Sequence, residues 1–166
     1  MMKKLGVLIV LLAVAGCVSN KEDEMPRVKD VILRYNHLLA EGYASFDMRG
    51  LSGLITPNQA ARLDHRLMGL KMAKKRMDTR LENIEFLKVT FKNDKITKQR
   101  IATVRTRETW DIRYADLNNG RTVKKMDGAV YLILYSLQRK DEKWLIDNDT
   151  VMEEKSDRSM RPGDGD

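Results

Sequence analysis

The hydrophobic period changes partway along the chain, and that change limits the fold more than any other feature. Between Pro26 and Arg80 apolar residues recur every three to four positions, and from Ile84 onward they recur every two. The first spacing marks an amphipathic helix, the second a half-buried strand. Helices come first and strands after, without the β-α alternation of a parallel sheet, so the expected class is α+β.

In the first half, Val28, Val31, Ile32, Tyr35, Leu38 and Leu39 lie on one helical stripe. Pro26 suits the first turn of that helix, and Gly42 closes or bends it. "SFDMRGLSGLI" predicts a short helical piece or an ordered loop. Thr56-Pro57-Asn58-Gln59 is a helix start in which Thr56 caps, Pro57 takes the first turn and Gln59 completes a capping box. The helix that follows carries Leu63, Leu67, Leu70 and Met77 on one stripe, widened by Met68 and Met72. It is expected to end near Arg80.

The second half reads as four strands. In "IEFLKVTFKND" the alternation slips by one residue at Leu87, which predicts a bulge. A turn near Asn93-Asp94 leads to a strand with Ala102, Val104, Thr106, Trp110, Ile112 and Tyr114 on one face and Arg105, Arg107 and Arg113 opposite. Asn118-Asn119-Gly120 is a hairpin signal. "GAVYLILYSLQ" is apolar on both faces and belongs in the middle of the sheet. Lys140 to Lys143 form a polar turn before the last strand, "WLIDNDTV". The expected architecture is N-terminal helices packed on a curved four-stranded antiparallel sheet. A strand of about fifteen residues around Trp110 exceeds the usual length, so it needs bulges and curvature. Wrapped around a helix pair, such a sheet makes a cone with an open mouth.

In its helical half at 26–80, its long hairpins "ATVRTRETWDIRY" and "AVYLILYSL", and its closing "KWLID", the chain resembles the nuclear transport factor 2-like superfamily, the cystatin-like cone. The resemblance implies a cavity inside the cone. Members include ketosteroid isomerases and polyketide cyclases together with many non-catalytic binding or assembly modules, and relatives often pair through the outer sheet face.

The N-terminus addresses location. Lys3 and Lys4 precede twelve uncharged, mostly apolar residues, Leu5 to Gly16. As a helix these reach roughly 18 Å, short of the roughly 30 Å hydrocarbon core, so a signal-peptide h-region fits and a spanning helix does not. Val14-Ala15-Gly16-Cys17 resembles a bacterial lipobox. That resemblance implies cleavage between Gly16 and Cys17 and acylation of Cys17, the chain's only cysteine. Two or three acyl chains anchor stably where one does not. The alternative is an ordinary secreted protein with an odd free thiol. Val18 stands where an Asp would resemble an inner-membrane retention signal, so a double-membraned host would place the protein on its outer membrane, facing the periplasm.

The expected organisation is a signal peptide at 1–16, an acylated cysteine and flexible tether at 17–25, one α+β domain at 26–152, and a disordered polar tail at 153–166. The net charge of +7 falls to +5 without Lys3 and Lys4. Much of it lies in Arg62 to Arg80, read as a solvated helix face or as a contact for anionic lipid. An extracytoplasmic location argues against nucleic acid.

The chain offers little catalytic chemistry. There is no G-x-S-x-G elbow and no Gly-rich phosphate loop. His37 and His65 are isolated. Asp147 and Asp149 alternate on a strand end, as a Ca²⁺ site with added carbonyls or as a solvated edge. No metal and no cofactor are expected. Glu108 shares a face with Thr106 and Trp110, so it either points into the cone, where acid/base work is feasible, or pairs with a basic side chain or is turned outward by a bulge. Glu108 and Trp110 are the candidate cavity residues. Tyr131 and Tyr135 share a face with Ala129, Ile133 and Leu137, and are the candidate interface for a homodimer or an envelope partner. The favoured reading is a membrane-anchored lipoprotein whose soluble domain is a non-catalytic binding or assembly module. The alternative is a carrier or an isomerase- or cyclase-type enzyme that uses the cavity.

Overall fold

The computed structural model describes residues 21–155. Gly16 and Cys17, the signal segment, and residues 156–166 of the expected tail lie outside them. The described chain is α+β: helices α1 (Lys21–Ser45) and α2 (Pro57–Met72), a single 3₁₀ turn (Arg49–Leu51) between them, then strands β1 (Lys75–Asn93), β2 (Arg100–Asp116), β3 (Thr122–Lys140) and β4 (Lys143–Lys155). All four strands pair antiparallel in the order β1-β2-β3-β4, a plain meander. β3 therefore has a neighbour on each side, as its two apolar faces require.

Three boundaries differ from the sequence expectation. α1 begins at Lys21, so the last five residues of the expected tether are helical and Pro26 lies inside the helix. The cause is Glu24. Its carboxylate is buried and accepts hydrogen bonds from Arg100 (2.9 and 3.1 Å) and Arg139 (2.9 Å), which fastens the first turns to the sheet. An acidic group near a helix N-terminus also meets the positive end of the backbone dipole.

The second correction concerns α2, which stops at Met72. Lys74 adopts a left-handed φ of 51° and β1 begins at Lys75. Met77, expected on the helix stripe, is on a strand opposite Tyr114. The basic run Arg62–Arg80 is thus split between a helix and a strand. Its midpoint lies beside the β2–β3 turn, where the Leu117 N–H donates to the Lys74 carbonyl. At the other end of the chain, β4 continues to Lys155, three residues past the expected domain end.

Other local expectations hold. Thr56 caps α2, its side chain accepting from the Gln59 N–H. The Gln59 side chain does not return to Thr56, because the Thr56 N–H is already bonded to the Ile146 carbonyl. The pairing of β1 with β2 shifts register between Phe86 and Lys88, the site of the phase slip, and again between Leu81 and Asn83. Gly120, at φ 69°, turns the β2–β3 hairpin.

Both helices pack against β1 and against β4, the two edges of the sheet. A flat sheet cannot bring both edges to one helix pair, so the sheet curls around α1 and α2, helped by the bulges in its long strands. The core forms inside that curl from Val28, Ile32 and Tyr35 of α1, Leu63 of α2, Val104, Leu137, Trp144 and Ile146.

Candidate functional site: a buried carboxylate hub beneath a small cavity

Glu108 points inward and has no exposed surface. It is not paired with a cation. Four neutral donors converge on it: Thr106 Oγ1 (2.8 Å), Tyr135 O–H (2.8 Å) and Asn36 Nδ2 (3.2 Å) on Oε1, and Trp110 Nε1 (2.9 Å) on Oε2. The Tyr135 hydroxyl proton is shared with Asn36 Oδ1 at 3.0 Å. β2 supplies Thr106, Glu108 and Trp110 by strict alternation, β3 supplies Tyr135, and α1 supplies Asn36. A buried charge is tolerable only when its lone pairs are satisfied, and here the protein supplies the donors itself.

A cavity of about 190 Å³ adjoins the hub. Leu39, Tyr43, Met77, Trp110, Tyr131 and Ile133 contribute walls, and Asn36, Glu108 and Tyr135 mark its inner end. Arg66 and Val151, both exposed, mark the mouth.

A second polar cluster closes that mouth. Asp149 accepts from Tyr35 O–H (2.9 Å), Gln59 Nε2 (2.9 Å) and both terminal nitrogens of Arg66 (3.1 and 3.2 Å). Asp147 accepts from Thr56 Oγ1 (2.8 Å) and Gln138 Nε2 (3.0 Å), and its carbonyl accepts from Arg62. The two carboxylates do lie on one side of β4, but they bolt the strand to α1 and α2. Among the described residues no three His, Cys, Asp or Glu side chains group as a metal site. His37 pairs with Glu41 on the surface, and His65 is exposed.

Tyr131 and Tyr135, the candidate interface residues, face the helices rather than the outer side of the sheet. They lie on the inner face, Tyr135 only 1% exposed and packed edge-on against Tyr35 at 6.2 Å between ring centroids. The β2–β3 register puts Tyr131 opposite Glu108 and Tyr135 opposite Val104, so these tyrosines must share the face of Glu108. The outer face of β3 carries Val130, Leu132 and Leu134, each half-buried and set opposite Thr109, Arg107 and Arg105.

Sequence reasoning passed over Asn36. It falls four residues after Ile32 on the inner stripe of α1, and a polar residue in that position is the signal that a buried partner awaits it.

Burial, followed by the nearby Glu108 carboxylate, pushes the Tyr135 hydroxyl well above the ordinary tyrosine value; burial and then Asp149 do the same for Tyr35. Both tyrosines therefore ionise later in the folded state than in the unfolded one. Their contribution is complete below about pH 10 and is lost as pH rises beyond it. The unfolding free energy from urea titrations is expected to fall above that pH by up to about 1.4 kcal/mol per pH unit for each tyrosine. Tyr135→Phe should remove one of the two contributions; an unchanged slope in that variant would refute the assignment.

No protein-family model matches the chain, and no curated protein sequence matches it either. Among solved structures, the intermembrane space region of the chloroplast protein ARC6 matches with a TM-score of 0.58 at 14% identity, covering 75% of this chain and 92% of that one. A periplasmic fragment of TraM matches at a TM-score of 0.43 and 10% identity, covering 80% of this chain and 97% of that one. The likeness to the ARC6 region is one of fold. Among the described residues no helix is long and apolar enough to cross a membrane.

Proposed function

We propose that this chain is a bacterial lipoprotein, anchored through acylated Cys17, whose domain is a non-catalytic binding or assembly module of the cell envelope, built as a nuclear transport factor 2-like cone. The hub carries the non-catalytic part of the reading. Glu108 is the cavity's one fully buried carboxylate, and four protein donors already hold it. It joins α1, β2 and β3, and both of its oxygens are taken up in holding those elements together. The sheet curled around two helices and the small cavity support the cone. The partner-facing surface is the outer side of the sheet, where Val130, Leu132 and Leu134 lie between polar margins.

The second reading is a small-molecule carrier or an isomerase- or cyclase-type enzyme, favoured by the cavity beside Glu108, Trp110 and Tyr131. About 190 Å³ is below the roughly 300–1,000 Å³ of ordinary ligand pockets, which limits an occupant to a few heavy atoms.

Two measurements test the leading reading. Intact mass of the membrane-extracted protein is expected to show residues 1–16 removed and diacylglyceryl on Cys17. Crosslinking in intact membranes is expected to recover neighbours from wild type and lose them from Leu132→Glu/Leu134→Glu. A bare Cys17 would remove the anchor, and identical neighbours from both proteins would remove the proposed face.

A further inference from the structure

The meander places two hairpin turns, β1–β2 and β3–β4, at one end of the domain, and the β2–β3 turn at the other. The start of α1 belongs to the first end, because Glu24 is bonded to Arg100 at the start of β2 and to Arg139 at the end of β3. That end carries five exposed lysines, Lys92, Lys95, Lys98, Lys140 and Lys143. Lys95, Lys98, Lys140 and Lys143 make no ion pair among the described residues, while Lys92 acts on nearby Asp94. Acidic groups are present too: Glu24 is engaged by two arginines, Glu142 by Arg139 and Asp94 by its own turn, while Asp23 and Asp141 are exposed. At the opposite end Arg76 and Arg113 are held by Asp78, Arg80 by Asp111, and Lys125 by Asp127, while Lys74, Arg121 and Lys124 are exposed.

The β1–β2 turn is ordered and presents one apolar side chain outward. Asp94 Oδ1 accepts from the Ile96 N–H (3.0 Å), the Thr97 N–H (2.7 Å) and Thr97 Oγ1 (2.9 Å), which fixes the tip. Ile96 sits there 91% exposed, flanked by Lys95 and Lys98. A fixed isoleucine ringed by unpaired lysines suits an interface that is apolar beneath and anionic above.

We propose that this end of the domain seats on a bilayer bearing anionic headgroups, with Ile96 entering the interface and the lysines of both turns meeting phosphates. The inference rests on the reading of Cys17 as the anchor. Only Val18, Ser19 and Asn20 separate Cys17 from the first residue of α1, so the two are at most about 14 Å apart. That short reach keeps the end of the domain that holds the start of α1, and with it the lysine-bearing turns, on the membrane side. The basic run Arg62–Arg80, read from sequence as a solvated helix face or a contact for anionic lipid, turns toward the far end and is left out of this surface.

The test uses the acylated protein, whose Cys17 has no free thiol, with Ile96→Cys carrying a polarity-sensitive fluorophore. The protein is reconstituted in phosphatidylcholine vesicles with or without phosphatidylglycerol. With the anionic lipid, emission is expected to shift blue and acrylamide quenching to fall by about threefold, and high salt should reverse both. Lys95→Glu/Lys98→Glu should abolish the protection, and the same label at Val123→Cys, at the far end, should stay quenched in every vesicle. An Ile96→Cys label that stays fully quenched in membrane-bound, mass-confirmed acylated protein overturns the seating and leaves the anchor standing. Protection at Val123→Cys instead also overturns it. A bare Cys17 overturns both readings together.

Discussion

Glu108→Ala is expected to cost about 5 kcal/mol of unfolding free energy, a large part of the roughly 5–15 kcal/mol that holds a domain of this size. The truncation strands four buried donors, on Asn36, Thr106, Trp110 and Tyr135. Each orphaned buried donor costs about 1–3 kcal/mol, and the vacated volume adds to that. Glu108→Gln keeps the volume but turns an amide N–H₂ toward groups that are themselves donors, so about 2 kcal/mol is expected. A double-mutant cycle sharpens the test. Tyr135→Phe should cost distinctly less in the Glu108→Leu background than in wild type, with a coupling of about 1–3 kcal/mol. Urea unfolding followed by circular dichroism measures wild type and each of these variants. A loss below about 1 kcal/mol for Glu108→Ala would mean the hub is not structural, and would reopen the reading of Glu108 as a functional acid.

Glu24→Ala is expected to cost about 3 kcal/mol and to act locally. It leaves Arg100 and Arg139, whose side chains are only 24% and 18% exposed, without their shared carboxylate. Breaking a largely buried pair from one side is expensive because the remaining charge stays desolvated. The first turns of α1 have little else to hold them, since Pro26 has no N–H to contribute to the helix. Hydrogen exchange at Arg27 and Val28 should therefore accelerate well beyond that at Tyr35 and Asn36. Uniform acceleration along α1 would contradict a role confined to the helix start. Glu24→Gln, which retains one acceptor oxygen, should recover part of the loss.

The parts of the fold carried by local pattern were legible. The Leu87 slip, the Asn118-Asn119-Gly120 turn and the Thr56 cap each involve residues a few positions apart, and each is where the spacing predicts. The orientation of Glu108 also follows from alternation along one strand. What escaped depends on distant partners. Residues Lys21–Met25 read as a solvated tether because the arginines that order them lie 76 and 115 positions away. Lys75–Arg80 continues a helical spacing through Met77, and only pairing with the end of β2 decides that it extends. For Tyr131 and Tyr135 the pattern correctly grouped the residues on one face but does not say which face meets the helices. The cross-strand register with Glu108 decides it.

The connection between Tyr35 and Asp149 spans 114 residues, joining the first helix to the last strand. Synthesis runs from the N-terminus at about 5–20 residues per second, so α1 exists for roughly 6–23 s before that aspartate is made. Its main partner strand, β1, is made well within that interval, but the edge that closes the curl comes last. The nascent chain thus emerges with its helices ahead of the sheet that covers them, and that cover is completed only as translation nears its end.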